Sequence, residues 1–274
     1  MFPWSLILNR RGLLCATCLA AMAWLTALTP PALAADDLTG GDPFGSMQWP
    51  DLRREFLTPD ASRVRFDDRV QVKGPAFAVD PMNVPISVSV AGLTEVEQIV
   101  ILVDRNPIRK VLEFEPLAGS RPSVAFRFKL EQASPVRAAV RTRDGVWHVG
   151  GALVDSVGGG CTVSGATRAD GSWQRTLGQV SGRLFDAVDP RESGARLRLR
   201  VMHPMDTGLV GGVPAFFLRR LSVADASGTE LLRMATFEPI SENPVFSFDF
   251  VGRPEGPLQV RGADNNGNRV EGRL

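Results

Sequence analysis

The chain has 274 residues, of which 44% are hydrophobic and 22% are charged, and its formal net charge is +1. A charge balance this close to neutral gives no electrostatic reason to expect a nucleic acid or an anionic membrane as partner. The two histidines are too few for a typical metal cluster and no Cys/His ligand spacing occurs, so the sequence predicts no metal, no cofactor and no separate catalytic site.

The first 34 residues have the layout of a cleaved bacterial export signal. Arg10 and Arg11 precede an apolar run, and Pro30 is followed by the small-residue site Ala32-Leu33-Ala34. The alternative is a membrane anchor, which the interruptions in the apolar run disfavour. We expect residues 1–34 to be removed and the mature chain to be periplasmic, exported by the Sec or the twin-arginine route, with no membrane insertion after cleavage.

Cysteine usage narrows the chemistry of the mature chain. Cys15 and Cys18 lie in the predicted signal peptide, so Cys161 is the cysteine that remains. A single cysteine in an oxidising compartment is a free thiol, an intermolecular bridge or a modified side chain.

The body of the chain is predicted to be all-β. Trp49, Leu52 and Phe56 are spaced as in a short amphipathic helix, but the later apolar residues alternate with polar ones, as in half-buried strands, at 86–90, 124–130, 197–201 and 246–250. Asp144-Gly145 and Asn266-Gly267 are dipeptides preferred in tight hairpins. These features favour two immunoglobulin-like antiparallel β-sandwiches, joined by a loop that contains glycine and cysteine and by a linker.

The two halves share a short pattern. Phe114-Glu115-Pro116 and Phe237-Glu238-Pro239 each precede a predicted strand and then a hairpin turn. Two matches of this length can arise by chance, so the pattern supports a repeated plan only weakly. The predicted boundaries are a signal peptide at 1–34, a tether at 35–48, a first sandwich at 49–157, a cysteine arm with linker at 158–194 and a second sandwich at 195–274.

A glycine string between the halves carries the mature cysteine. Gly158, Gly159 and Gly160 precede Cys161, and Gly165 follows it. Glycine favours mobility without side-chain bulk, so these residues predict a flexible arm that displays the thiol. A displayed thiolate attacks electrophiles and forms mixed disulfides, as a carrier requires. The alternative is an interdomain linker whose cysteine is incidental.

Other polar residues have simpler interpretations. His148 lies in a predicted strand, where a packed or surface histidine is the default and a base that activates Cys161 is the alternative. His203 beside Pro204 is expected to shape a strand end or a domain interface. A basic stripe on one strand face is most simply solvated, although it could attract an anionic cargo. Its members are Arg196, Arg198 and Arg200.

Beyond these patterns, the chain resembles the SoxY and SoxZ carrier pair of bacterial sulfur oxidation, fused in one polypeptide, and specifically the SoxYZ-like carriers associated with quinoprotein dehydrogenases. The SoxY-like segments are Asn83-Val84-Pro85-Ile86, Asp104-Arg105-Asn106-Pro107, Val136-Arg137-Ala138 and Val157-Gly158-Gly159-Gly160-Cys161. The SoxZ-like segments are His203-Pro204-Met205-Asp206-Thr207-Gly208 and Ser241-Glu242-Asn243-Pro244. Their order along the chain is the specific feature.

The resemblance implies a periplasmic carrier without turnover of its own. Cys161 would be the site of covalent substrate attachment, the two domains would pair within the chain, and the partners would be enzymes of sulfur oxidation or of a quinoprotein dehydrogenase system. In the family the cysteine arm ends the chain, whereas Thr162 and Val163 follow Cys161 here. The alternatives are a non-catalytic adaptor of a dehydrogenase and a cysteine-dependent thiol enzyme.

Overall fold

The computed structural model describes residues 38–186 and 194–274. The predicted signal peptide, with Cys15 and Cys18, lies outside these residues, as do residues 187–193 of the predicted linker. Within the described ranges, none of the helices has the length and apolar character needed to cross a bilayer.

The predicted helix and the predicted strands are present. Helix α1 (Trp49–Phe56) and a 3-10 turn (Ala61–Arg63) precede the strands of the first half, and two short helices precede those of the second half. The first-half strands are β1 (Val64–Phe66), β2 (Val70–Lys73), β3 (Phe77–Ala78), β4 (Val84–Val90), β5 (Val96–Val103), β6 (Lys110–Pro116), β7 (Ser120–Phe128), β8 (Ser134–Thr142) and β9 (Trp147–Ser156). The second half contains α2 (Ala166–Asp170), α3 (Trp173–Thr176), β10 (Val180–Asp186), β11 (Ala195–Val201), β12 (Leu218–Ala224), β13 (Glu230–Thr236), β14 (Val245–Phe250), β15 (Gln259–Asp264) and β16 (Arg269–Arg273).

Two sheets run through both halves. The larger sheet has the order β1-β9-β8-β5-β6-β13-β12-β15-β16, with β3 also paired to β9, and the smaller sheet has the order β10-β11-β14-β7-β4-β2. Antiparallel pairing of β6 with β13 and of β7 with β14 joins the halves. The prediction of an all-β, immunoglobulin-like fold is confirmed, and the sandwiches share both of their sheets.

The two halves have equivalent strand orders when the strands are counted outward from the junction. In the larger sheet β6, β5, β8 and β9 follow one another outward on one side, and β13, β12, β15 and β16 do so on the other. In the smaller sheet β7, β4 and β2 mirror β14, β11 and β10. The weak repeat in the sequence thus corresponds to a pseudo-twofold arrangement of strands, in which equivalent strands of the two halves pair.

The apolar faces of the two sheets meet in one core that crosses the junction. Phe114 on β6 stacks against Phe248 on β14 with ring centroids 5.6 Å apart. Phe246 lies 6.1 Å from Phe248 in the same layer. Alternation along β11 and β14 places their leucines and phenylalanines inward and their arginines, serine and aspartate outward. Burial of this continuous face stabilises the pairing of the halves.

The prediction of an N-terminal tether at 35–48 is wrong for residues 42–48, which pack against the first half. The carboxylates of Asp42 and Asp104 both bind the buried guanidinium of Arg137 in bidentate fashion, at 2.6 to 2.9 Å. That guanidinium also lies 4.5 Å from the ring of Trp49 and 5.1 Å from the ring of Phe44. Composition alone suggested a tether, but Asp42 in this segment is buried and gives the guanidinium of Arg137 a second bidentate partner beside Asp104.

The segment between the halves also differs from its prediction as a linker. Helices α2 and α3 and strand β10 all lie within residues 158–194. β10 pairs with β11 along its whole length and forms the edge of the smaller sheet. Much of the predicted linker is therefore part of the second half.

Replacement of Arg137 by Met is expected to destabilise the protein by about 3–5 kcal/mol, because it leaves the carboxylates of Asp42 and Asp104 buried without their counter-charge. Urea unfolding followed by tryptophan fluorescence measures the free energy of unfolding. Arg143→Met is the matched control, since Arg143 is paired with Glu95 on the exposed surface and its loss changes the net charge equally. Equal effects of the two substitutions would contradict the structural role of the buried ion pairs.

Candidate functional site

The glycine string leaves β9 and packs directly against the body of the protein. Gly158 has a φ of +95°, which favours glycine, and its N–H donates to Oγ of Ser156 at 3.0 Å. A Cβ atom on Gly160 would lie 2.3 Å from the carbonyl oxygen of Pro81 and 2.6 Å from that of Leu130. No residue other than glycine fits this close approach of three backbone segments.

Cys161, the next residue of this segment, is fully buried. Its exposed fraction is 0%, and its Sγ donates to the carbonyl oxygen of Lys129 at 3.5 Å. Its backbone N–H donates to Oε2 of Glu131 at 2.8 Å, and its carbonyl oxygen accepts from Oγ1 of Thr207 at 2.7 Å. Glu131 belongs to the first half and Thr207 to the second, so Cys161 is held between the halves.

Two glutamates fasten the segment, one at the cysteine and one at Thr167. Glu131 binds Cys161 and also accepts from the Thr162 hydroxyl at 3.1 Å through its other oxygen. Glu242 accepts from the N–H of Thr167 at 3.2 Å and from its hydroxyl at 2.9 Å. A Cβ atom on Gly165 would lie 2.2 Å from Oε2 of Glu242. We call the contacts of Glu131, Thr207 and Glu242 with this segment the clamp.

The expected display of the thiol on an exposed flexible arm is wrong for this structure. Gly158, Gly160 and Gly165 lie where a Cβ would collide with a carbonyl oxygen or a carboxylate, and Gly159 has a φ of +86°. A glycine run is compatible both with a mobile chain and with close backbone packing. Here its physical role is close packing, which the sequence alone does not distinguish from mobility.

The closed site suppresses the reactivity of the thiol. Burial, together with the nearby carboxylate of Glu131, raises the pKa of Cys161 to about 12, while the ammonium of Lys129 opposes this shift. Only roughly one thiol in 10⁵ is ionised at pH 7 with such a pKa, and the thiolate is the nucleophilic form. The closed conformation therefore protects the sulfur atom from reaction.

Lys129 places a buried ammonium group beside the cysteine. Its Nζ donates to the carbonyl oxygen of Met205, and burial lowers its pKa. Its own carbonyl oxygen accepts from Nδ2 of Asn106 at 2.8 Å, and Oδ1 of Asn106 accepts from the N–H of Glu131 at 2.8 Å. Asn106 thus fixes the backbone at Lys129 and at Glu131, the two residues that contact Sγ and the N–H of Cys161.

Neither histidine contacts the cysteine. His148 shares a hydrogen bond of 2.7 Å between its Nδ1 and Oδ2 of Asp67. Nδ1 of His203 accepts from the N–H of Met205 at 3.1 Å, and burial lowers the pKa of His203 to about 4, so the ring is neutral at pH 7. Within residues 38–186 and 194–274, no three His, Cys, Asp or Glu side chains are grouped in a way that could hold a metal ion.

Sequence reasoning identified Cys161 and its glycines but missed the residues that enclose them. Asn106 and Thr207 belong to segments that carried the family resemblance, and these segments converge on the cysteine. Lys129 is a polar residue of the predicted strand at 124–130, and Glu131 follows that strand. Neither gave a sequence indication of a role, because their importance arises from contacts between distant parts of the chain.

Substitution of Gly160 by Ala is expected to expel the segment, because the added Cβ would collide with the carbonyl oxygens of Pro81 and Leu130. Reaction of Cys161 with a chromogenic aromatic disulfide should then accelerate by at least about tenfold. The assay uses chains with Cys15 and Cys18 replaced by Ser. Gly211→Ala is the control, since a Cβ atom on Gly211 would have no neighbouring atom within 4 Å. Unchanged thiol reactivity in a folded Gly160→Ala variant would contradict the close packing.

The raised pKa of Cys161 gives a specific pH dependence. The native thiol keeps its proton at a pH where the unfolded thiol, with an ordinary value of 9.0, loses it. The stability due to thiol burial is therefore complete below about pH 9 and is lost as the pH rises toward about 12. Thiolate absorbance in the ultraviolet is free of tyrosinate interference because the chain contains no Tyr.

With Cys15 and Cys18 replaced by Ser, this absorbance should stay flat through pH 9 in the native protein and should rise near pH 9 in denaturant. Cys161→Ser should show neither rise. A native titration midpoint at the ordinary value would rule out a buried thiol.

Comparisons with known proteins agree with this organisation. A family model described as sulfur oxidation protein SoxY matches residues 54–161, so its last matched residue is Cys161, and a model described as sulphur oxidation protein SoxZ matches residues 187–274. One similar solved structure is the sulfur carrier protein SoxY from Chlorobium limicola f thiosulfatophilum, with 20% identity and a TM-score of 0.33. That similarity covers 38% of this chain and 87% of the other chain. No curated protein matches the chain.

The two family matches follow one another along one polypeptide, and the halves that they cover are joined by both sheets. The chain therefore belongs to the SoxY and SoxZ sulfur-oxidation families, as a fusion of a SoxY domain with a SoxZ domain.

Proposed function

We propose that the protein is a periplasmic covalent carrier, without turnover of its own, that holds a sulfur-containing or other electrophilic intermediate on Cys161 and presents it to partner enzymes. The observation that carries this proposal is the position of Cys161. It is the last residue of the SoxY match, and backbone and side-chain contacts from both halves converge on it.

The closed site suits a carrier that shelters its thiol between partners. Loading requires the Cys161 thiol to lose its proton and to form a bond to an electrophilic atom of the donor, whose leaving group departs with the bonding electron pair. The closed site opposes the first step, because it holds the pKa of the thiol at about 12. The clamp must therefore open before loading.

The clamp consists of contacts that can break without unfolding of the sheets. Glu131, Thr207 and Glu242 hold the segment through side-chain hydrogen bonds, each contributing about 1–3 kcal/mol. The strands that form the core do not depend on these bonds. An opening of residues 158–165 is thus a local transition with a cost well below that of global unfolding.

Attachment of the segment at both ends determines how Cys161 can be presented. Thr162 and Val163 follow the cysteine, and α2 continues the chain at Ala166. The released segment is therefore a loop, and β-branched residues restrict its entry into a narrow channel. We infer that the partners receive Cys161 in an open cleft. The proposed partners are enzymes of sulfur oxidation or of a quinoprotein dehydrogenase system, on the basis of the resemblance of the sequence.

A non-catalytic adaptor is the second candidate, and burial of the thiol is the observation that favours it. An adaptor would bind a dehydrogenase through its sheet faces, and Cys161 would be only a core residue.

The third candidate, a cysteine-dependent thiol enzyme, requires a base or cation that lowers the pKa of the thiol. The described contact of Sγ is a carbonyl oxygen, and the pKa of the thiol is raised.

Intact mass spectrometry of the protein isolated from the periplasm of its native host tests the carrier function. We expect added mass on Cys161 that reductant removes if the bond is a disulfide or persulfide, and no added mass on Cys161→Ser. Glu131→Gln should load more readily, because the weakened clamp opens more often. If Cys161 is uniformly unmodified and Cys161→Ser keeps full biological function, the carrier function is rejected in favour of the adaptor.

A further inference from the structure

The outer face of the smaller sheet carries a groove lined by four arginines. Arg127 lies on β7, Arg183 on β10, and Arg198 and Arg200 on β11. The groove has a volume of about 640 Å³, and its other lining residues include Phe185 and Glu242. We call it the arginine groove.

The four arginines originate from backbone positions spread across the groove. Arg183 is directly opposite Arg198 in the register of β10 and β11, and Arg200 follows two residues later on the same face. Arg200 is opposite Val245 of β14, beyond which lies β7 with Arg127. Four adjacent strands span about 14 Å at the usual spacing between strands. An extended chain with several carboxylates can pair with guanidinium groups that originate from strands spread over this distance.

The positive charge of this groove is largely uncompensated. The next arginine along β11, Arg196, is neutralised by Asp249 at 2.6 Å. By contrast, the described residues provide no ion pair for Arg127, Arg198 or Arg200, and Arg183 lies over the ring of Phe185, 5.2 Å from its centroid. Among the residues that line the groove, Glu242 is the acidic one, and its carboxylate binds Thr167.

The groove adjoins the segment that carries the cysteine. Glu242 lines the groove and is also the part of the clamp that holds Thr167. One wall of the groove is β10, which lies between the SoxY match ending at 161 and the SoxZ match beginning at 187. The wall therefore comes from the part of the fused chain that neither family model covers.

We propose that the arginine groove is a docking surface for an Asp- and Glu-rich segment of a partner protein. This inference rests on the proposed function in one respect, since the partner is the enzyme that loads or unloads Cys161. Carboxylates spaced along an extended segment complement guanidinium groups spaced along adjacent strands. Docking there places the partner beside the contact of Glu242 with Thr167, the part of the clamp that adjoins the groove.

Fluorescence anisotropy with a labelled poly-glutamate peptide as the probe tests the groove in the full chain. The double substitution Arg198→Gln with Arg200→Gln should weaken binding by about tenfold, because it removes two of the four charges. Arg198→Lys with Arg200→Lys should stay closer to the unsubstituted protein. The matched control is Arg54→Gln with Arg143→Gln, which removes the same net charge from exposed pairs with Asp51 and Glu95 and should change affinity by less than about twofold. Equal unfolding temperatures establish that the variants fold.

Two outcomes would overturn the proposal. Equal weakening in the groove variant and the control variant would mean that the peptide senses only the overall charge. Displacement of the peptide by inorganic sulfate at a concentration where chloride of equal ionic strength has no effect would identify a site for a small anion. Cys161→Ala should bind the peptide normally. Localised peptide binding with no adduct ever found on Cys161 would reject the carrier function while leaving the groove intact.

Discussion

The close approach of Gly160 to the peptide groups of Pro81 and Leu130 is the constraint on which the site depends. Because glycine has no side chain, the chain can pack against these peptide groups, and the next residue, Cys161, is placed between Lys129 and Thr207. The burial of the thiol, its raised pKa and the contact with Glu131 follow from this placement. The junction itself exists because β6 pairs with β13 and β7 pairs with β14.

The local part of the fold could be predicted from the sequence, and the long-range part could not. Alternation at Leu197, Leu199 and Val201 correctly indicated a half-buried strand, and the spacing of Trp49 and Leu52 indicated α1. Pairing across the junction is formed by backbone hydrogen bonds between strand edges. Side chains do not form these bonds, so the pairing leaves no periodic pattern in the sequence. A single buried acid at Asp42 was likewise invisible in a segment that is polar on average.

Cys161 was identified from its place in the sequence, whereas its environment was not. A glycine run has the same composition whether it is mobile or tightly packed, so the expectation of an exposed arm relied on one of two physical uses of glycine. In a closed site the observed rate of thiol chemistry is the intrinsic rate multiplied by the fraction of open molecules. Any partner that stabilises the open form therefore controls when the sulfur atom reacts, even with no catalytic group of its own.

Sharing both sheets within one polypeptide has a consequence for assembly. If the halves were separate chains, the edges of β6, β7, β13 and β14 would be unpaired on dilution, and exposed edges of this kind promote aggregation. The covalent connection makes their association intramolecular, so the pairing is independent of protein concentration. The two halves are consequently always present in equal number, and neither can exchange partners with another molecule while the sheets remain intact.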